Sequence, residues 1–318
     1  MIISRAPYRI SLFGGSTDYP SYYSKYEALL LGFTINHYCT TIIRHVPPIL
    51  NNKYILKYSK TEKTDESKLI EHDGCRGLVQ FYNVPSIEID ILDDLPARTG
   101  IGSSSSFIVA GATGICTLFG YKSTKKQLAL DAINIERKLL KEPGGIQDQI
   151  WASYGGMNSI RIRQNGDFIV KPLPISDEFK EELNKHLLLF YTGEQRQSFD
   201  LAQSHDTMNG YKTDVHNIAY EALGAFTSED IQQIGNLLNE SWLAKKKIAK
   251  NITSDNIDKI YSYAITHGAI GGKLLGSGTS GFMVFIVIDK TKEFIECMEQ
   301  CNLIHVNYGL DNQGATII

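Results

Sequence analysis

The chain has 318 residues, of which 42% are hydrophobic and 21% charged, and its formal net charge is -3. That length and balance suggest two domains of roughly 150 residues, each with a real core. The weakly acidic balance leaves no basic footprint, which excludes nucleic acid as an expected partner; anionic ligands must be met by local cations. Five cysteines, an odd number without a CxxC pair, are no disulfide framework and read as reduced thiols in the cytoplasm. Cys297 and Cys301 share a helix face but have no nearby histidine, so they read as thiols and not as a metal site. The opening MIISRAPYRI has neither the basic stretch nor the apolar run of a signal peptide, and no apolar run approaches the roughly 18 residues of a membrane span.

In chain order, Ile2–Ala6 and Arg9–Phe13 read as short strands separated by Pro7. Leu29–Ile35, Tyr38–Arg44 and Tyr54–Tyr58 follow as strands rich in β-branched and aromatic residues. The polar stretch Ser59–Gly77 reads as a loop with at most one helical turn, and Ile87–Ile91 as a half-buried strand. Ser104–Phe119 is small and apolar, as a buried helix is. Lys125–Leu140 carries Leu128, Ala132, Ile135 and Leu139 at helical spacing, with Ser123 or Thr124 as the cap. Met157–Ile162 and Phe168–Lys171 form a predicted hairpin around Asn165-Gly166.

A boundary falls in Pro172–Asp177, dividing the chain into 1–174 and 175–318. Beyond it come a charged helix, a buried strand at Leu187–Tyr191, and helices over Val215–Phe226, Ile231–Ala249 and Asn256–His267. Ile270–Leu275, Phe282–Ile288, Glu293–Cys301, Leu303–Tyr308 and Ala315–Ile318 then mix strands with a helix. Strands and helices mixed in both halves, without a regular βαβ repeat, indicate an α+β fold.

The most informative stretch is Pro96-Ala97-Arg98-Thr99-Gly100-Ile101-Gly102-Ser103-Ser104-Ser105-Ser106, between a strand and a buried helix. Its glycines let the backbone approach a ligand closely. Its serines add hydroxyl donors, and the free amides of the next helical turn attract an anion. The same residues also fit a serine-rich surface loop. Gly276–Gly281 matches GxGxxG, but a strand pattern follows it where a dinucleotide fingerprint needs a helix. Neither GxxxxGK[ST] nor GxSxG occurs.

Three stretches in order now carry a resemblance: Ala6-Pro7-Tyr8-Arg9-Ile10-Ser11-Leu12-Phe13-Gly14-Gly15-Ser16-Thr17-Asp18-Tyr19, the Pro96–Ser105 loop, and the glycine-rich Lys273–Gly281. The chain resembles the GHMP kinases. Within that family it looks most like the D-glycero-α-D-manno-heptose 7-phosphate kinases, through RAPYRISLFGGSTDYPSYY, GGIQDQIWASYGGMNSI, LLLFYTG and GAIGGKLLGSGTSGF. The resemblance implies a two-domain fold, with an N-terminal domain like domain 2 of ribosomal protein S5 and a ferredoxin-like C-terminal domain. It also implies ATP and Mg2+ as cofactors. The implied reaction phosphorylates the anomeric hydroxyl of a heptose 7-phosphate, towards GDP-heptose for surface polysaccharide. Homodimerisation stays open, and no membrane partner is expected.

Galactokinase-like members carry Glu-His at Gly15-Ser16, which argues against galactose. Ser105 and Ser106 replace the usual alanines, and Ser277, Thr279 and Ser280 the usual glycines and alanines; these exchanges are expected to add hydroxyls near the phosphates.

The resemblance assigns Asp148 as the carboxylate that receives or orients the acceptor proton, with Arg9 beside it. Without the resemblance, Asp148 is equally a first-turn acid that stabilises its helix. The nucleotide is assigned to Pro96, Arg98, Thr99, Gly100, Ile101, Gly102, Ser103, Ser104, Ser105, Gly276, Ser277 and Gly278. Magnesium is assigned to Ser104 and Glu136, although Glu136 also fits a surface ion pair. The acceptor is expected at Gly15, Ser16, Thr17, Asp18, Gly145, Asp148 and Thr192; Asp18 also fits a turn that caps its own backbone. Its phosphate is expected at Arg196, with Lys273 or Arg163 as alternatives. The Ser59–Gly77 stretch is a candidate adenine wall.

Overall fold

The computed structural model describes residues 1–193, 209–248, 252–276 and 278–318. Arg196 and Ser277, both expected at the site, lie outside these residues.

Two strands that the sequence breaks in half are continuous. β1 runs Ile2–Phe13 and β2 runs Ala28–Arg44, paired antiparallel along their length. Pro7 does not end β1; the register slips between Pro7 and Arg9, a bulge that absorbs the residue unable to donate. β3 (Tyr54–Lys57), β4 (Thr61–Thr64) and β5 (Ile87–Asp93) extend this sheet, with β3 parallel to β5. The hairpin β6 (Met157–Ile162) and β7 (Phe168–Pro172) joins the other half of β2.

Ser59–Gly77 is not a loop. It forms β4, a 3-10 turn at Ser67–Leu69 and the start of helix α2 (Asp73–Phe81), following the short helix α1 at Pro20–Tyr23. Two glycines hid α2. Side chains at Gly74 and Gly77 would press on Phe107 and on Ile135, so close packing selects residues that weaken the helix signal.

Helix α3 (Ser103–Phe119) lies buried against β1 and β2. Helix α4 (Lys125–Ile133) is capped by Thr124, whose hydroxyl accepts from Gln127 N, and it continues as a π-helical turn over Asn134–Leu139. Helix α5 (Gln147–Tyr154) packs beside α3 and against β1 and β2.

Helix α6 (Asp177–His186) leads into β8 (Leu187–Tyr191), and then come α7 (Asn209–Thr227), α8 (Ile231–Ile248) and α9 (Asp255–Thr266). β9 (Gly271–Leu274), β10 (Phe282–Ile286), helix α10 (Thr291–Gln300) and β11 (Ile304–His305) complete a four-stranded antiparallel sheet ordered β11-β8-β10-β9.

Alternation along β8 and β10 buries both faces of this sheet. Leu187, Leu189, Phe282, Val284 and Ile286 join the core shared with the first sheet, while Leu188, Phe190, Met283 and Phe285 pack with Trp242, Tyr261 and Phe294. The chain end then returns. β12 (Leu310–Asp311) pairs with β2 and β13 (Thr316–Ile317) with β1, making the first sheet nine-stranded. Residues 310–317, read from sequence as part of the second half, are therefore built into the first sheet. The architecture is α+β, and no helix among the described residues is long and apolar enough to cross a membrane.

Candidate active site

A cavity of about 1190 Å³ opens where β1, the loop before α3, the π turn, the start of α5 and β9 converge. At its centre Arg9 grips Asp148 with two parallel bonds, Nε to Oδ1 at 2.9 Å and Nη2 to Oδ2 at 2.7 Å. This bidentate fork orients the carboxylate as well as neutralising it. The third nitrogen of Arg9, Nη1, donates to Gly100 O, and Ile101 O accepts from Arg9 N at 3.0 Å, so the serine loop is tied to the same residue. A methyl group on Gly102 would lie 3.4 Å from Asp148 Oδ2. The loop and the carboxylate face each other directly.

Arg98, Gly100 and Gly102 have positive φ and coil the loop so that α3 starts at Ser103. Ser106 N is the first amide with an acceptor in the helix, Gly102 O, and the amides of Ser103, Ser104 and Ser105 precede it as first-turn donors. The third glycine-rich stretch buttresses the loop: Phe282 N donates to Thr99 O at 3.1 Å, and a side chain on Gly100 would come within 2.6 Å of Leu275 O.

Glu136 is buried, not paired at the surface. The π turn rotates it inward, where it accepts from Ser104 Oγ (3.2 Å), Ser105 Oγ (2.8 Å) and Gln149 Nε2. Burial raises its pKa, opposed chiefly by Arg137. Arg137 braces the following loop through Gly145 O and Glu142 O, at 3.0 and 2.9 Å. Glu142, also at the cavity, is pushed up to about 7 by burial and then by Glu136.

Asp18 is buried and does cap its own turn, accepting from Ser16 N at 3.2 Å. Its other oxygen accepts from Gln147 N at 3.2 Å. It thereby joins the first motif to the start of α5, and burial followed by repulsion from Asp148 raises its pKa. A side chain on Gly145 would overlap this carboxylate, which explains the glycine.

Of the expected residues, Arg9, Gly15, Ser16, Asp18, Arg98, Gly100, Gly102, Ser103, Ser104, Ser105, Glu136, Gly145, Asp148, Lys273 and Gly276 line the cavity. Others build it without facing it. Thr17 and Thr99 are fully buried, with hydroxyls donated to Gly14 O and Pro96 O, and Ile101 is core. Pro96 therefore serves a turn, Gly278 packs against Ile252, and Thr192 Oγ1 accepts from Gly281 N at 3.1 Å. Arg163 sits on the β6–β7 hairpin beside Asp167, away from the cavity. The extra hydroxyls are also used internally: Ser105 on Glu136, Ser106 on Pro7 O and Thr279 on Gly278 O.

The sequence reading missed Lys245, Gln147 and Ser11, all at the cavity. Lys245 donates to Gly276 O at 2.5 Å, but in sequence it looks like the basic end of a helix. The Ser59–Gly77 stretch supplies a wall through Ser59, Lys60, His72, Gly74 and Arg76.

Comparison with known proteins accords with this geometry. Residues 67–156 match the GHMP kinases N terminal domain and residues 221–301 the GHMP kinases C terminal domain. A D-glycero-alpha-D-manno-heptose 7-phosphate kinase of Campylobacter jejuni is 31% identical over 309 residues, covering 92% of this chain and 91% of that protein. A galactokinase of Thermococcus kodakarensis is 22% identical, covering 89% and 88%. Among solved structures, a D-glycero-D-manno-heptose 1-phosphate kinase from Bacteroides thetaiotaomicron superposes with a TM-score of 0.83 at 23% identity, covering 100% of this chain and 99% of that one. With its three motifs gathered around one cavity and a relative of this identity along nearly its whole length, the chain belongs to the GHMP kinase family.

Proposed function

We propose that this kinase transfers the γ-phosphoryl group of ATP to the anomeric hydroxyl of D-glycero-D-manno-heptose 7-phosphate, giving the 1,7-bisphosphate in the cytoplasm, on the way to GDP-heptose. The observation that carries it is the Arg9–Asp148 fork set against the glycine-serine loop in one cavity, in a chain 31% identical to a heptose 7-phosphate kinase. In the proposed step the acceptor oxygen bonds to the γ-phosphorus, the bond to the β-phosphate oxygen breaks, and ADP leaves. Asp148 receives or orients the hydroxyl proton. Arg9 holds that carboxylate in line and offsets charge on the transferred group. First-turn amides of the loop, with the Ser103 hydroxyl beside them, hold the phosphates.

Magnesium fits the residues present, because Ser104 and Glu136 offer hard oxygen donors already 3.2 Å apart at the cavity. Bound there with ATP oxygens, the ion would neutralise phosphate charge. Gln149 and Ser105 keep the Glu136 carboxylate aimed. Division of the chain at 174/175 into two domains, with the last strands returned to the first, is part of the same reading.

The test is ATP-dependent turnover with magnesium on the heptose 7-phosphate, on free hexoses and on mevalonate derivatives, with phosphorus NMR of the product. An anomeric phosphate on the heptose is expected. A product phosphorylated elsewhere would discard the heptose assignment, and ATP binding without turnover of any acceptor would discard catalysis.

A further inference from the structure

Beside Asp148 the cavity holds a polar pair that the mechanism leaves unused. Ser11, on β1, donates Oγ to Gln147 Oε1 at 2.8 Å, and both residues line the cavity. Gln147 is held at its backbone as well, because its N–H donates to Asp18. With Oε1 engaged, the pair offers the Nε2 donor of Gln147 and the lone pairs of Ser11 Oγ. Turning the amide over would exchange these roles and still leave one donor and one acceptor. That is the complement of a single hydroxyl group, which both accepts and donates.

Gly15 forms the floor of the space. A methyl group built there would lie 3.7 Å from Ser11 Oγ and 3.8 Å from Gln147 Nε2, ordinary contact distances, so both polar atoms border the space that a side chain on Gly15 would enter. Gly15 has no positive φ, so its lack of a side chain serves this space and not a strained turn.

We propose that Ser11 and Gln147, over Gly15, are a specificity-determining pair that reads one hydroxyl of the acceptor adjacent to the one phosphorylated. The acceptor class is therefore a polyhydroxylated ring, and the inference rests on the sugar-kinase reading above.

The experiment is a cycle between protein and substrate. Wild type, Ser11→Ala, Gln147→Leu and Gly15→Ala are assayed on the heptose 7-phosphate and on its monodeoxy analogues. Losing a neutral hydrogen bond should lower kcat/KM by about five- to tenfold in Ser11→Ala, with the KM for ATP unchanged. One analogue should be poor for wild type yet lose nothing further in Ser11→Ala or Gln147→Leu. Equal losses on every analogue, or a matching rise in the KM for ATP, would make the pair structural and overturn the proposal. Gly15→Ala keeps the test open if Gln147→Leu misfolds: it should penalise the full sugar more than that analogue. Calorimetric titration of the sugars without ATP separates the two claims. A sugar that binds wild type about five- to tenfold tighter than Ser11→Ala but is never phosphorylated keeps the pair and removes the kinase reading, whereas a sugar neither bound nor phosphorylated removes both.

Discussion

Lys273 exposes a conflict between stability and function that one substitution can measure. Its side chain is 4% exposed, and its Nζ donates to Leu12 O at 2.8 Å while facing the cavity. Burial first, and then Arg9, bring its pKa down from 10.5 to about 7. In the unfolded chain the ammonium keeps its proton up to the ordinary value, so between these limits the unfolded state binds more protons. The stability contributed by this site therefore rises with pH through the window, and its penalty is complete only below about pH 7. At about 1.36 kcal/mol per pH unit, the displacement corresponds to a penalty of about 5 kcal/mol.

Lys273→Met removes the charge with little change of volume and leaves Leu12 O without its donor, which costs about 1–3 kcal/mol. The variant should thus be more stable than wild type at pH 6 by about 2–4 kcal/mol. For domains of this class, each kcal/mol is about 2–4 °C of Tm. Thermal melts from pH 6 to pH 9 should show that advantage shrinking as pH rises, while turnover falls. A variant less stable than wild type at pH 6, or a Tm difference that ignores pH, would refute the reasoning.

Glu142 gives the opposite sign. Its pKa lies above the ordinary 4.5, at about 7, so the fold binds more protons in that window and this site's stability falls as pH rises through it. Glu142→Gln should raise Tm at pH 7.5 and change it little at pH 4.5; equal effects at both would remove the claim. Gly145→Ala drives a methyl group into the Asp18 carboxylate and should destabilise by about 1–3 kcal/mol. Steady-state kinetics should show the acceptor KM rising at least about tenfold, and an unchanged acceptor KM would separate Asp18 from the site.

Local chemistry was legible from the chain alone. The Thr124 cap of α4, the Asn165-Gly166 hairpin and β8 follow from caps, turn residues and side-chain period, which act over a few positions. The three glycine-rich motifs also announced themselves, because close backbone approach admits few other residues. Tertiary structure decided everything that depends on partners distant in sequence. Arg9 and Asp148 are 139 positions apart, and only the packing of β1 against α5 makes them one fork. Without the resemblance Glu136 fits a surface ion pair equally well, and the π turn buries it; Thr17 reads as a ligand until its hydroxyl meets Gly14 O, and Lys245 reads as a helix end until β9 lies beside it. Sequence period reports which face of an element is apolar. Whether a polar group on that element meets water, protein or substrate depends on which neighbour the fold brings against it.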